Sequence, residues 1–255
     1  MNRTLALATL LLAAASGPAL AQMAPAAPAA GAPAMAPAAP PAPITAARPQ
    51  ADIDRDGSRK PVQTIAFAGV KPGMTVAELG PGGGYYTRML SAAVGPKGTV
   101  YAVATQAQAN RPGGLNTLNG LAAVLPNVKV VVSDYPTLTL PTKADVVWTT
   151  ENYHDFHNGA AANIPGLNKA VYESLKPGGI FYVEDHAAVN GAGLEAASKL
   201  HRMDETLAKS ELIAAGFKVD GEGNLLRNPA DDKAKGNAES GHFVSDRFML
   251  RMKRP

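Results

Sequence analysis

Apolar and polar positions along residues 74–252 fall into two alternating rhythms. Short runs of β-branched and small apolar residues, Met74–Leu79, Thr99–Ala104, Val128–Ser133, Asp145–Thr150 and Ile180–Asp185, read as buried strands. Between them, Tyr85–Val94, Leu115–Leu125, Leu167–Leu175 and Asp204–Ala215 carry apolar residues at helical spacing. This alternation predicts a mostly parallel sheet covered on both faces, a doubly wound α/β domain. The helix Asp204–Ala215 is expected to turn Leu207, Ile213 and Ala214 to one side, with Phe217 beyond them, and to stop at Gly216. Two more strands are expected near Lys218–Leu226 and Phe243–Met252. In the latter, Val244, Asp246, Phe248, Leu250 and Met252 alternate with Arg247, Met249, Arg251 and Lys253, a mixed polarity that predicts an antiparallel edge strand.

The chain's first fifty residues follow neither rhythm. Asn2-Arg3-Thr4 precedes the apolar run Leu5–Ala15, and Ala19-Leu20-Ala21 stands before Gln22 in the small-x-small pattern of signal peptidase sites, so residues 1–21 read as a secretory signal peptide. Export to the periplasm or the medium is the expectation. The apolar run is shorter than the roughly 20 residues that cross a hydrocarbon core, so stable membrane insertion is not expected. Residues 22–50 are almost all Ala and Pro and read as a disordered linker, leaving 51–255 as the domain.

Composition narrows the partners. There is no cysteine, which excludes disulfides and Cys-ligated zinc or iron–sulfur sites. Lys and Arg number 24 against 21 Asp and Glu, and Arg3 and Arg48 are the only charges before residue 51, so the domain is nearly neutral. That gives no support to nucleic-acid binding and points to a small-molecule partner. The oligomeric state is not legible. Asp52, Asp54, Asp56 and Gly57 imitate the first half of a calcium loop, but Gln63 occupies the twelfth position and Pro61 interrupts the exit. The expected structure there is a helix capped by Ser58, with Pro61 in its first turn and Val62, Ile65 and Phe67 along it.

Ligands of such sheets bind at the carboxyl ends of the strands, which directs attention to the first strand-to-helix turn, Glu78-Leu79-Gly80-Pro81-Gly82-Gly83-Gly84-Tyr85-Tyr86. A dinucleotide turn needs a sixth-position glycine, and Tyr85 stands there. An acid two residues before a G-x-G-x-G run suits a ligand whose charged end is an amino acid, with Glu78 facing a cationic group. A nicotinamide oxidoreductase is accordingly disfavoured.

At these residues the chain resembles the class I S-adenosylmethionine-dependent methyltransferases, and within them an exported "predicted methyltransferase" branch. The resemblance runs from about Asp52 to Pro255. It rests on Phe67–Gly73, the turn Glu78–Tyr86, Tyr153-His154-Asp155, Leu175-Lys176-Pro177-Gly178-Gly179, His201-Arg202 and Leu226–Asp232 in that order. It implies a Rossmann-like seven-stranded sheet with an antiparallel last strand, and S-adenosylmethionine as cofactor. By position it implies that Glu78, Gly80, Pro81, Gly82, Gly84 and Tyr86 surround the methionine part, and that Asp134 and Tyr135 bracket the adenine. The family's ribose-binding acid normally ends the second strand. Here Ala104-Thr105-Gln106 stands in its place, so the substitute contact is Thr105 or Gln106, and only with neutral hydrogen bonds.

His154, His157, His186 and His201 fall on the carboxyl-end loops over the expected ligand. A base near neutral pH suits methylation of a hydroxyl or amine, and His154 is the first choice, with Asp155 and His186 beside it. A divalent cation held by Asp155, Asp185 and a histidine is the alternative for the same cluster; no metal is assigned from the sequence. The function expected is methyl transfer to a small-molecule acceptor outside the cytoplasm. The alternative is a non-catalytic protein on the same fold that binds an adenosyl or other small ligand.

Overall fold

The computed structural model describes residues 48–159, 162–240 and 244–255. The expected signal peptide, residues 1–21, and the expected linker 22–50 up to residue 47 lie outside the described residues, whereas Arg48 pairs with Asp56 and Gln50 opens the first helix. Helices α1 (Gln50–Arg59) and α2 (Pro61–Ala68) lead into β1 (Thr75–Leu79), α3 (Tyr85–Val94) and β2 (Thr99–Ala104). Next come α4 (Gln106–Ala109), α5 (Asn116–Val124), β3 (Val128–Val132) and β4 (Ala144–Thr150). The chain ends with α6 (Ile164–Ser174), β5 (Leu175–His186), α7 (Gly193–Leu200), α8 (Glu205–Ala214), β6 (Lys218–Gly223), α9 (Asn237–Ser240) and β7 (Arg247–Lys253).

The seven strands form one sheet in the order β3-β2-β1-β4-β5-β7-β6. Strands β1 to β5 run parallel, and β7 pairs antiparallel with both β5 and β6. The mostly parallel doubly wound sheet with an antiparallel last strand is therefore as expected. Side-chain alternation splits the core between its faces. Val76, Val100, Val146, Trp148 and Tyr182 pack with Ile65 of α2, Met89 and Leu90 of α3 and Leu118 of α5. Ala77, Leu79, Val103, Val147, Phe181 and Leu250 pack on the other face with Leu167 and Val171 of α6 and Leu212 of α8.

Three expectations are corrected. Strand β7 lies inside the sheet, and β6 is the edge. Both arginines of β7 are paired: Arg247 is buried between Glu151 and Glu184, and Arg251 meets Asp220 at 2.7 Å. In α8 the core face is Ala208 and Leu212, while Ile213 is 52% exposed. Asp204 sets this phase by capping the helix, its carboxylate accepting from the N–H groups of Thr206 and Leu207. Finally, Asp52 to Ser58 form the body of α1, and the Ser58 hydroxyl bonds back to the Arg55 carbonyl instead of capping α2. The α1 carboxylates are taken up internally: Asp52 accepts two bonds from Arg88, and Asp56 accepts from Arg48 and Tyr85. Among the described residues no helix is long and apolar enough to cross a membrane.

Candidate functional site

The turn after β1 brings the chain close to the sheet edge by using left-handed backbone at Gly80, Gly82 and Gly84, with φ of +69°, +52° and +79°. Gly84 is required twice over, because a Cβ there would lie 2.2 Å from Leu121 Cδ1. Helix α3 starts directly at Gly84 with no side-chain cap, so its first N–H groups point toward the turn. Glu78 sits beneath, buried, and accepts a 2.5 Å hydrogen bond from the Thr87 hydroxyl. Burial pushes its carboxyl up to about 7, against the opposing pull of Thr87, Arg88 and Arg59.

Helix α1 lies over this turn. The guanidinium groups of Arg48, Arg55 and Arg59 stand 5.3, 5.1 and 5.0 Å from the Tyr85 ring centre, and the Tyr85 hydroxyl donates to Asp56 at 2.7 Å. A cavity of about 170 Å³ remains, walled by Arg55, Arg59, Glu78, the turn from Gly80 to Gly83, Tyr85 and Tyr86, and Thr150 to Asn152. Arg59 and Arg247 share Glu151, and Arg247 also reaches Glu184 at 3.0 Å. Burial pushes Glu184 up as well. Arg55 differs from its neighbours: it lines the cavity, no carboxylate among the described residues lies within ion-pair distance of it, and its Nε is buried without a hydrogen-bond partner. Burial, followed by the charge of Arg59, lowers its pKa. A larger hollow of about 580 Å³ is lined by residues of α6 and of the C-terminal half of α8.

The other cofactor candidates are distributed as follows. Gly80, Pro81, Gly82 and Tyr86 line the cavity with Glu78. Tyr86 is mostly core, its ring 4.9 Å from that of Trp148. Asn152 donates to the Gly80 carbonyl at 3.2 Å. At the end of β2, Thr105 caps α4 by accepting from the Gln108 N–H, and Asp134 accepts from the Gln106 N–H at 3.0 Å. Tyr135 packs on Phe156 with ring centres 4.8 Å apart. Its hydroxyl is pushed up to about 12 by burial, against a hydrogen bond with the Gly80 backbone.

The histidines form a second centre. His154 is buried, and its Nδ1 lies 2.7 Å from Asp185 Oδ1, while Asp185 Oδ2 accepts the His154 backbone N–H. An aspartate at Nδ1 fixes that nitrogen as the donor and leaves the electron pair on Nε2. Burial opposes a charge on the ring, but Asp185 outweighs it and the pKa is raised. Nε2 faces Asp155 Oδ1 at 3.4 Å, and that same oxygen is 3.2 Å from His201 Nδ1. His186 turns away to Ser245, at 2.6 Å, and His157 is held by Glu211 and the Tyr153 carbonyl. The structure thus gathers His154, Asp155, Asp185 and His201, with His186 behind them and the glycine-turn residues in a separate cavity. Arg55 has no signal in the sequence as a site member, whereas His201 lies where the sequence places it, on the rim, and gains its partner Asp155 only in the fold. Only tertiary packing brings α1 over the turn and α7 against the loop after β4.

Residues 61–187 match the family model of protein-L-isoaspartate(D-aspartate) O-methyltransferase. No curated protein sequence matches the chain. Among solved structures, a SAM-dependent methyltransferase from Aquifex aeolicus is similar at a TM-score of 0.58 and 20% identity, over 82% of this chain and 100% of that one. The [4+2]-cyclase SpnF is similar at 0.56 and 14% identity, over 78% and 80%. The N-methyltransferase NodS from Bradyrhizobium japonicum is similar at 0.54 and 11%, over 79% and 96%. These similarities establish the shared fold.

Proposed function

We propose that this chain, which has the fold of class I S-adenosylmethionine-dependent methyltransferases, moves a methyl group from S-adenosylmethionine to a small-molecule acceptor. The observation that carries the reading is an uncompensated guanidinium and a buried carboxyl in one cavity, Arg55 and Glu78. A zwitterionic amino-acid end satisfies both, its carboxylate toward Arg55 and the α3 N-terminus and its ammonium toward Glu78. A pyrophosphate would set like charges against Glu78. The ligand fits less well at its ribose end, where Ala104 replaces an acid and Thr105 offers only a hydroxyl already used as a cap. Asp134 and Tyr135 are the residues proposed to meet the adenine.

When bound, S-adenosylmethionine supplies a methyl group activated by its sulfonium. Glu78 loses its proton as it takes the ammonium, and the turn glycines let the backbone close on the methionine part. On the acceptor side, the Nε2 electron pair of His154, held outward by Asp185, draws off the acceptor's proton. Asp155 adjoins that electron pair, and His186 supports the strand end. The signal-peptide pattern of residues 1–21 supports a reaction outside the cytoplasm.

Calorimetric titration of the purified chain with S-adenosylmethionine and S-adenosylhomocysteine tests this, with Gly82→Asp as control. Micromolar binding that the control loses is the expected result. A folded chain that binds neither moves the reading to a non-catalytic protein for another adenosyl or small ligand. One observation supports that second reading: the missing acid at Ala104.

A further inference from the structure

We infer that His154, Asp155 and His201 form a binding site for a divalent first-row transition ion of the zinc class. The three offer one ligand atom each, and those atoms lie within 4.8 Å of one another. Asp155 Oδ1 is the hub, 3.4 Å from His154 Nε2 and 3.2 Å from His201 Nδ1. Ligands about 2.0–2.1 Å from one ion at tetrahedral or octahedral angles stand about 2.9–3.4 Å apart, so both separations already suit a shared cation. The exposed His201 ring, 5.6 Å centre to centre from that of His154, is free to close the remaining imidazole gap by rotation.

The support behind the ligands is an independent observation. Asp185, with no exposed surface, takes the Nδ1–H of His154 at 2.7 Å and its backbone N–H at 2.7 Å. A carboxylate on the far nitrogen of an imidazole fixes the tautomer and the ring plane and raises the basicity of the ligating nitrogen, as in established zinc sites. Two imidazoles and one carboxylate leave coordination positions open. None of the three residues lines the cavity at the glycine turn, so the site stands without the cofactor. Its consequence for chemistry does rest on the methyl-transfer reading: an acceptor oxygen bound to the ion loses its proton to water before it attacks, and His154 then serves as a ligand and not as a free base.

The test is titration of the untagged, metal-stripped chain with Zn²⁺ by calorimetry and with Co²⁺ by visible absorption, in the absence of S-adenosylmethionine. His201→Ala and Asp155→Asn are the variants, since both side chains are exposed and their loss leaves the core intact. The expected result is one equivalent of Zn²⁺ at micromolar affinity or tighter, weakened at least tenfold in each variant, with intense Co²⁺ bands that both variants lose. No binding, or binding unchanged in both variants, overturns the site. Binding of S-adenosylmethionine is measured separately on the same preparations. Its loss with the metal site intact counts against methyl transfer alone, and its survival without metal binding counts against the metal site alone.

Discussion

Glu184 and Asp185 are consecutive and fully buried at the end of β5, yet they serve different clusters. Successive strand side chains point to opposite faces. Glu184 receives Arg247 at 3.0 Å in the ionic network behind the glycine-turn cavity, whereas Asp185 holds His154 at 2.7 Å in the histidine rim. One strand end therefore supports both the proposed cofactor cavity and the proposed acceptor side.

Arg55 is predicted to hold the cofactor's carboxylate. Arg55→Ala should weaken S-adenosylmethionine binding about 10- to 100-fold, corresponding to a lost charge-assisted bond of about 1.5–3 kcal/mol, with little change in melting temperature. Calorimetry beside a thermal melt checks this. Unchanged affinity would mean that the carboxylate is held elsewhere.

Glu78 should impose a pH dependence on stability. Its carboxyl is raised from 4.5 to about 7 on folding, so between those values the folded chain holds a proton that the unfolded chain has lost. Stability from this group is complete below about pH 4.5 and declines as pH rises through 7, by about 3 kcal/mol in all. Urea denaturation from pH 4.5 to 8 should show a decline that Glu78→Gln reduces. Ammonium binding selects the ionised form, so the parent's affinity for S-adenosylmethionine should rise from pH 6 to 7.5 while that of Glu78→Gln stays flat.

Arg247 neutralises two acids in a dry setting. Arg247→Met leaves Glu184 and Glu151 short of a counter-charge and should cost about 3–5 kcal/mol in urea denaturation. Adding Glu184→Gln should recover part of that loss. A double variant no more stable than the single one would show that the pair is not energetically coupled.

The turn glycines should differ in their tolerance. Gly82→Ala meets no atom within 4 Å and pays only for left-handed backbone, about 1–2 kcal/mol. Gly84→Ala adds a collision with Leu121 and should cost about 2–4 kcal/mol. Equal losses in thermal or urea melts would show that α5 yields to the new methyl group.

The sequence by itself determined the strand and helix rhythm, the doubly wound sheet, the glycine turn with its acid and the concentration of histidines on carboxyl-end loops. These features are local: β-branched runs, helical spacing and the need for left-handed backbone leave their mark within a few residues. Only the tertiary structure decided which strand forms the edge, because burial of Arg247 depends on Glu151 and Glu184 from two other strand ends. It also decided that α1 covers the glycine turn, that Arg55 faces the cavity with no ion pair among the described residues, and that His201 meets Asp155 from 46 residues away. Such pairings follow from packing and charge compensation between segments distant along the chain, and no local pattern encodes them.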